Sequence, residues 1–173
     1  LVHGWGMHGG VWSPLLKKLS KHFYLHVVDL PGMGLSQAIE PSNLEVISQR
    51  VLEALPARAD ILGWSLGGLV SMQLAMMQPE RIRRMVLVGS TPCFVNRVEV
   101  GMESWLHGVE AEVFSDFAAQ ITADYQTTLI KFLTLQCMGA RDARSTVKQL
   151  RASFTERPTP TAMTLKSALR MLL

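Results

Sequence analysis

The stretch from Asp60 to Gly68 reads DILGWSLGG and has the residue types and spacing of a serine nucleophile. Ser65 stands at the centre of a Gly-x-Ser-x-Gly pattern, between Gly63 and Gly67. A serine hydroxyl attacks an acyl carbon once a base takes its proton, and glycines leave room for the sharp turn that exposes it. The pattern therefore favours acyl-transfer chemistry at Ser65. The alternative interpretation is a Gly/Ser turn that only joins a strand to a helix.

The residues on either side of the pattern predict a strand and a helix. A short apolar run precedes Ser65, and helix-forming residues with helical spacing follow it. The apolar positions of that helix are Leu69, Val70, Met72, Leu74, Ala75, Met76 and Met77. A strand, a turn and a helix would place Ser65 at a helix N-terminus, where backbone N–H groups stabilise developing negative charge. This context favours a nucleophile elbow over a plain turn.

Two other glycine-rich turns precede the elbow, at residues 4–10 and 32–34. Up to Gly89, strand-like and helix-like apolar segments alternate. The predicted strands are residues 1–2, 23–30, the run before Ser65 and 85–89, and the predicted helices are 11–19, 44–55 with a cap at Pro41, Ser42 and Asn43, and the helix after Ser65. The alternation predicts an α/β fold with a doubly wound parallel sheet. All three glycine turns then lie at the carboxyl edge of the sheet, where ligands bind.

After Ser90 the alternation stops, and residues 102–155 have the apolar spacing of helices alone. A helical insertion after a strand of such a sheet can cover the ligand site as a lid. The sequence therefore predicts a partial α/β core over residues 1–92, a helical lid over residues 93–160 and a return to the core over residues 161–173.

The first glycine-rich turn, at residues 4–10, also fits a dinucleotide-binding pattern. Gly4, Gly6 and Gly9 have the G-x-G-x-x-G spacing, and Asp29 ends the next predicted strand, where a ribose-binding carboxylate belongs. Against this alternative, a further glycine and a proline delay the helix that should begin within the glycines. It also leaves the Ser65 pattern unexplained, so we expect no dinucleotide.

Three motifs agree with acyl transfer: HGWG at residues 3–6, DLPGMGLS at residues 29–36 and GWSLGG at residues 63–68. With them the chain resembles the α/β-hydrolase superfamily over nearly all of its length. The chain further resembles the esterases that act on the methyl ester of pimeloyl-acyl-carrier protein in biotin synthesis. This resemblance is carried by the tryptophan in both glycine motifs and by the lid sequence FLTLQ at residues 132–136. Another esterase or lipase acting on small acyl esters is the alternative within the superfamily.

The resemblance implies a role for each matching residue. Ser65 would be the nucleophile, and the backbone N–H groups of Trp5 and Leu66 would form the oxyanion hole. The residues implied to line the acyl channel are Phe132, Leu133, Thr134, Leu135 and Gln136. The implied partner is the acyl-carrier protein that bears the ester.

The catalytic acid and histidine should follow the nucleophile in this superfamily. The one histidine after Ser65 is His107, at the start of the predicted lid, so we expect both residues beyond Leu173 and an inactive chain without them. His3 is interpreted as shaping the first glycine loop and Asp29 as holding its turn. The chain begins without Met and ends in a helical stretch, which we interpret as a piece of a longer polypeptide.

The composition indicates a globular protein with an excess of basic residues near the end of the chain. The chain is 48% hydrophobic and 18% charged, with no apolar run near the ~20 residues of a membrane span. Two distant cysteines fit a reducing compartment, so we expect a cytoplasmic protein. The lack of a ligand cluster or P-loop predicts no metal and no cofactor. We also expect a monomer. Residues 131–173 hold 8 basic and 2 acidic residues.

Part of this basic excess recurs at helical spacing. We expect it to dock the acidic carrier protein, through Arg141, Arg144, Lys148 and Arg151, together with Lys131. An ordinary solvated lid helix is the alternative interpretation. Nucleic acid is not expected, because no aromatic residues are interleaved with the charges.

Overall fold

The structure is a computed structural model that describes residues 1–40, 43–98 and 103–173. A parallel pair of strands, β1 (Ala59–Trp64) and β2 (Ile82–Val88), forms its sheet. The α-helices are α1 (Ser13–Leu19), α2 (Leu44–Glu53), α3 (Leu66–Met77), α4 (Ala111–Ala123), α5 (Tyr125–Gln136), α6 (Ala143–Ser153) and α7 (Ala162–Arg170). Short 3₁₀ helices cover Gly9–Trp12, Gly34–Ser36 and Pro79–Arg81. Within the described ranges no helix has the length and apolar character to cross a bilayer.

Single bridges extend the sheet beyond β1. Val2 pairs in parallel with both Gly63 and Val28, so the order across the sheet is residue 28, residue 2, β1 and β2. The Val2 N–H donates to Leu62 O at 2.9 Å, and the Trp64 N–H donates to Val2 O at 3.0 Å. Helix α3 packs on both strands and α2 packs on α3. The predicted α/β fold with parallel strands and helical connections is confirmed.

The strand predicted over residues 23–30 is largely absent. Only Val28 forms a bridge, and the side chain of Tyr24 is 90% exposed, although the sequence predicted a strand buried on both faces. The neighbouring segment consists of residues 1–2, which pair with His26 and Val28. Residues 23–25 therefore lack a strand beside them in the described chain, and apolar side chains alone do not form a ladder.

Helix α2 begins where the sequence predicts. The Asn43 side chain accepts a hydrogen bond from the Val46 N–H at 2.9 Å, which satisfies one of the free donors of the first turn. The other two predicted cap residues, Pro41 and Ser42, lie outside the described residues. The helix ends at Glu53, two residues before the predicted end.

The segment before α4 is not the helix that the sequence predicts, and residue 102 lies outside the described ranges. Val95 bridges Val109 and Arg97 bridges Trp105, with the Trp105 indole N–H donating to Cys93 O at 3.0 Å. Gly108 allows this close pairing, since a Cβ there would lie 2.7 Å from the Phe94 carbonyl oxygen. Backbone pairing thus replaces helix up to residue 110.

Strand β2 leaves apolar side chains exposed. Its only strand partner in the described chain is β1, and Val86 is 53% exposed. In the described chain β2 is therefore an open edge of the sheet.

Candidate active site

Ser65 has a strained backbone conformation at the junction of β1 and α3. Its φ is 54° and its ψ is −118°, and no other non-glycine residue in the described ranges has a positive φ. Such a conformation costs roughly 1–3 kcal/mol and persists only where neighbouring structure holds it. Here the Ser65 N–H donates to Val88 O at 2.9 Å, and its carbonyl accepts from Ser90 Oγ at 2.7 Å and from the Gly68 N–H at 2.9 Å. The predicted strand, sharp turn and helix are confirmed.

The glycines beside Ser65 are required by close backbone approach. A Cβ at Gly63 would lie 2.5 Å from Ser71 Oγ and still closer to Gly67 O. A Cβ at Gly67 would lie 2.5 Å from His3 O and still closer to Val2 O. The second contact places the elbow directly against the first glycine loop (residues 3–10).

Two backbone donors beside Ser65 are uncommitted. A Cβ on Gly4 would lie 3.2 Å from Ser65 Cβ, so the loop and the nucleophile are neighbours. The Trp5 N–H, next in the loop, and the Leu66 N–H, the first in α3, donate to no acceptor in the described chain. Free N–H groups placed beside a nucleophile can stabilise an oxyanion as it forms.

His3 shapes the first glycine loop. Its Nε2 accepts from the Leu30 N–H at 2.9 Å, so the proton is on Nδ1, which donates to Gly4 O at 2.8 Å. Burial lowers the pKa of the ring to about 4 and keeps it neutral at pH 7. With both nitrogens engaged, His3 is not available as a base for Ser65.

Asp29 holds turns rather than a ribose. Its carboxylate accepts from the Gly9 N–H at 2.6 Å and the Leu35 N–H at 2.8 Å, and Arg157 donates to its Oδ2. Burial raises the pKa of Asp29, but these three hydrogen bonds outweigh burial and lower the pKa below its usual value. The first α-helix after the loop begins only at Ser13. The dinucleotide alternative therefore loses its ribose-binding carboxylate.

No base faces Ser65 in the described chain. The Ser65 hydroxyl makes no hydrogen bond there, and His107 is exposed, with its ring 5.1 Å from the Trp105 ring in an edge-on contact. His8 Nε2 donates to Ser153 O at 2.8 Å. Among the described residues, the site thus brings the Ser65 hydroxyl beside two free backbone N–H groups, with no acid–histidine pair facing them.

Metal ligands do not gather near this site. Among the residues that the structure describes, no group of three or more His, Cys, Asp and Glu side chains is arranged to hold a metal ion. Cys93 and Cys137 are free thiols.

The five residues implied to line an acyl channel divide between two sides of α5. The Phe132 ring packs 6.1 Å from the Trp5 ring, and Leu133 is buried in the core. Thr134, Leu135 and Gln136 are exposed. An α-helix has about 3.6 residues per turn, so five consecutive side chains surround its axis and cannot face one channel together. The structure places Phe132 and Leu133 on the inner side of α5 and the other three side chains on its exposed side.

The sequence missed other residues of the lid that contact the first glycine loop. The Phe117 ring lies 5.2 Å from the Trp5 ring, and the Trp5 indole N–H donates to Leu165 O at 2.9 Å. The Tyr125 hydroxyl donates to Gly6 O at 3.1 Å, and burial raises its pKa to about 12. The apolar spacing over residues 102–155 predicted helices, but it did not indicate that Phe117 packs on Trp5.

The expected docking residues are exposed and make no ion pair within the described chain. Arg144, Lys148 and Arg151 lie on α6, and Lys131 lies on α5. Arg141 precedes α6 in a turn, which corrects the prediction of four residues on one helix. The helical spacing began the helix two residues too early, because Arg141 and Asp142 belong to the turn that follows Gly139, whose φ is 82°.

A family model of the alpha/beta hydrolase fold matches residues 1–169. The chain belongs to the α/β-hydrolase family. Two solved α/β folds superpose on it: a hydrolase from Oleispira antarctica with a TM-score of 0.80 at 22% identity, and an esterase from Exiguobacterium antarcticum with 0.81 at 16%. Each match covers 99% of this chain. It covers 63% of the Oleispira chain and 64% of the Exiguobacterium chain. At these identities the likeness shows the fold alone.

Curated relatives of this α/β-hydrolase chain are more similar in sequence. The pimeloyl-[acyl-carrier protein] methyl ester esterase of Klebsiella pneumoniae is 43% identical over 172 residues, and that of Nitrosomonas europaea is 41% identical over 172 residues. Both matches cover 99% of this chain. The chain spans 65% and 66% of the length of these two relatives.

Proposed function

We propose that the full-length protein is a serine carboxylesterase that hydrolyses the methyl ester of a pimeloyl group carried by acyl-carrier protein. The observation that carries the proposal is Ser65, held at a φ of 54° beside two uncommitted backbone donors. The names of the relatives at 43% and 41% identity support the substrate.

In the proposed mechanism Ser65 Oγ attacks the ester carbonyl carbon while its proton passes to a histidine supplied from beyond Leu173. The carbonyl oxygen becomes an oxyanion and accepts hydrogen bonds from the Trp5 and Leu66 N–H groups. The bond to the methoxy oxygen then breaks, and methanol leaves with the proton from the histidine. Water attacks the acyl-Ser65 ester by the same steps and releases the free carboxylic acid.

We also propose where the substrate is held. The rings of Trp5, Phe117 and Phe132 form an apolar cluster beside the first glycine loop, with centroid separations of 5.2–6.1 Å. An apolar wall suits a methylene chain, because the chain leaves water when it binds. Thr134, Leu135 and Gln136, on the exposed side of α5, would lie nearer the outer end of the acyl group.

The carrier protein would dock on the basic residues of the lid. The exposed cations of α6 are not neutralised by ion pairs in the described chain, so they can attract an acidic partner. The inner face of the helix packs down through Leu150, and Phe154 follows it. The charged face is therefore held outward by packing on the other side.

Replacing the nucleophile tests this proposal. In the full-length protein, Ser65→Ala should lower kcat for the carrier-bound methyl ester by about 10⁶-fold, since loss of a triad nucleophile removes covalent catalysis. Ser20→Ala, which removes an exposed hydroxyl after α1, is the matched control and should retain wild-type turnover.

The same assay distinguishes an esterase of the carrier-bound ester from an esterase of small acyl esters. Turnover of the Ser65→Ala variant within tenfold of wild type would contradict the nucleophile assignment. Wild-type hydrolysis of p-nitrophenyl acetate without hydrolysis of the carrier-bound ester would instead favour an esterase of small acyl esters.

A further inference from the structure

Three distant segments meet at the carboxylate of Asp29. Gly9 of the first glycine loop and Leu35 of the following turn donate backbone N–H groups to it. Arg157, just after α6, donates from Nη1. The Asp29 side chain is 4% exposed and that of Arg157 is 25% exposed, so this ion pair is shielded from water. A shielded pair is screened less than a surface pair, and its geometry restrains both partners.

A second contact joins the same two regions. His8 Nδ1 accepts from the Gly10 N–H at 3.0 Å, so Nε2 carries the proton that it donates to Ser153 O at 2.8 Å. A Cβ on Gly10 would lie 2.9 Å from Glu156 Oε2, and one on Gly9 would lie 3.2 Å from Arg157 Nη1. The lid-exit segment (residues 153–157) therefore lies directly on the second half of the first glycine loop.

The first glycine loop is restrained at both ends. His3 fixes its beginning through Leu30 and Gly4, and Asp29 fixes its end through Gly9. The Trp5 N–H lies between these two points. Movement at the lid exit can therefore reach this N–H from the far end of the loop, through His8 and Gly9.

We propose that Arg157 is a positioning residue, which connects the lid exit to the first glycine loop through Asp29 and thereby holds the Trp5 N–H in place for the oxyanion. This inference rests on the proposed function. An arginine suits the role, because its planar guanidinium fixes direction as well as charge. Without it, Asp29 keeps its two backbone donors, but the lid exit loses its ion pair with the loop.

The test compares Arg157→Gln with Arg157→Lys in the full-length protein. Arg157→Gln should lower kcat for p-nitrophenyl acetate by about tenfold with KM changed less than about twofold, because a misplaced oxyanion donor weakens transition-state binding. Arg157→Lys keeps the charge and should recover part of the loss. Arg50→Gln, which breaks the exposed pair of Arg50 and Glu53, is the control and should change neither constant.

Hydrogen exchange provides a readout that does not depend on hydrolysis. In Arg157→Gln the Gly9 and Leu35 amides should exchange faster than in wild type, while amides of α2 stay unchanged. Unchanged exchange at Gly9, or a rise in KM with unaltered kcat, would overturn the proposal. If Arg157→Gln does not fold, Arg157→Lys must show a smaller rise in exchange at the Gly9 and Leu35 amides, and the absence of any rise there would also overturn the proposal. Activity that survives Ser65→Ala would contradict the proposed esterase and leave the exchange result standing.

Discussion

The elbow and the lid differ in what fixes their conformations. At the elbow, backbone atoms approach so closely that Gly63 and Gly67 have no room for a Cβ. The backbone N–H and carbonyl groups of Ser65 are held by hydrogen bonds to neighbouring residues. In the lid, α4 and α5 are held by side chains, chiefly Phe117 and Phe132 against Trp5. The elbow therefore depends on individual residue types, whereas the lid depends on a general apolar pattern.

The same difference separates the two ends of the first glycine loop. Its beginning lies against the elbow and is restrained by His3 within one tight set of hydrogen bonds. Its end is bonded through Gly9 to Asp29, which pairs with Arg157 of the lid, 128 residues further along the chain. Residues 29 and 30 thus hold both ends of the loop, and Asp29 also connects the Gly9 end to the lid exit.

A methyl group at the elbow should cause the largest loss of stability. Gly67→Ala would place a Cβ 2.5 Å from His3 O and still closer to Val2 O, which is held in the sheet by its hydrogen bond from the Trp64 N–H. We expect the free energy of unfolding to fall by about 3 kcal/mol, near the upper end of overpacking costs. Urea unfolding measures this change.

The lid provides the matched substitution. Gly139 has a φ of 82° but no atom within 4 Å of its Cβ position, so Gly139→Ala should cost only about 1 kcal/mol of backbone strain. Equal losses for the two substitutions would show that close approach does not distinguish the elbow from the lid.

How far sequence predicts structure follows the same division. The elbow was predictable, because Gly-x-Ser-x-Gly after an apolar run has few other uses, and the Asn43 cap was predictable for a similar local reason. Residues 23–25 were predicted wrongly, since a strand needs a neighbour that periodicity does not reveal. The resemblance named Phe132 as a channel residue, but no local pattern could name Trp5 as its contact, 127 positions away. No local pattern indicated the pairing of Arg157 with Asp29.

Acid should lower the free energy of unfolding through His3, which lies beside the elbow. Burial lowers the pKa of His3 to about 4 from 6.5, so between these values the unfolded chain binds a proton that the folded chain does not. Stability is therefore fully present above pH 6.5 and falls as the pH drops toward 4, by up to about 1.4 kcal/mol per pH unit. The charged or titratable groups that face His3 are Asp29, His8 and Arg157, and the favourable charge of Asp29 does not offset burial.

Urea unfolding at pH 7, 6 and 5 measures this slope. His3→Gln should remove most of it, whereas His22→Gln, at an exposed position on the surface, should leave it intact. A slope that persists in His3→Gln would assign the acid sensitivity to other groups. Asp29, whose pKa is lowered, should add a further loss only as the pH falls below its unfolded value of 3.8.

The smallest expected effect tests the lid surface. Reversing Arg144 and Lys148 to Glu should raise KM for the carrier-bound ester by about tenfold at low salt, because like charges then slow the encounter with an acidic partner. Added salt should shrink the difference, since ions screen exposed charges. Lys17→Glu with Lys18→Glu, an equal reversal on α1, should have little effect on KM.

A small ester distinguishes docking from damage to the lid. Hydrolysis of p-nitrophenyl acetate needs no docking surface, so the α6 reversals should leave its kcat and KM within about twofold of wild type. Equal losses on both substrates would mean that the reversals disturb the packing of Leu150 under α6. No loss on either would return Arg144 and Lys148 to an ordinary solvated helix face. In that case the lid would contribute apolar packing to the site and no recognition of the carrier through α6, and the contrast with the elbow would be sharper than we propose.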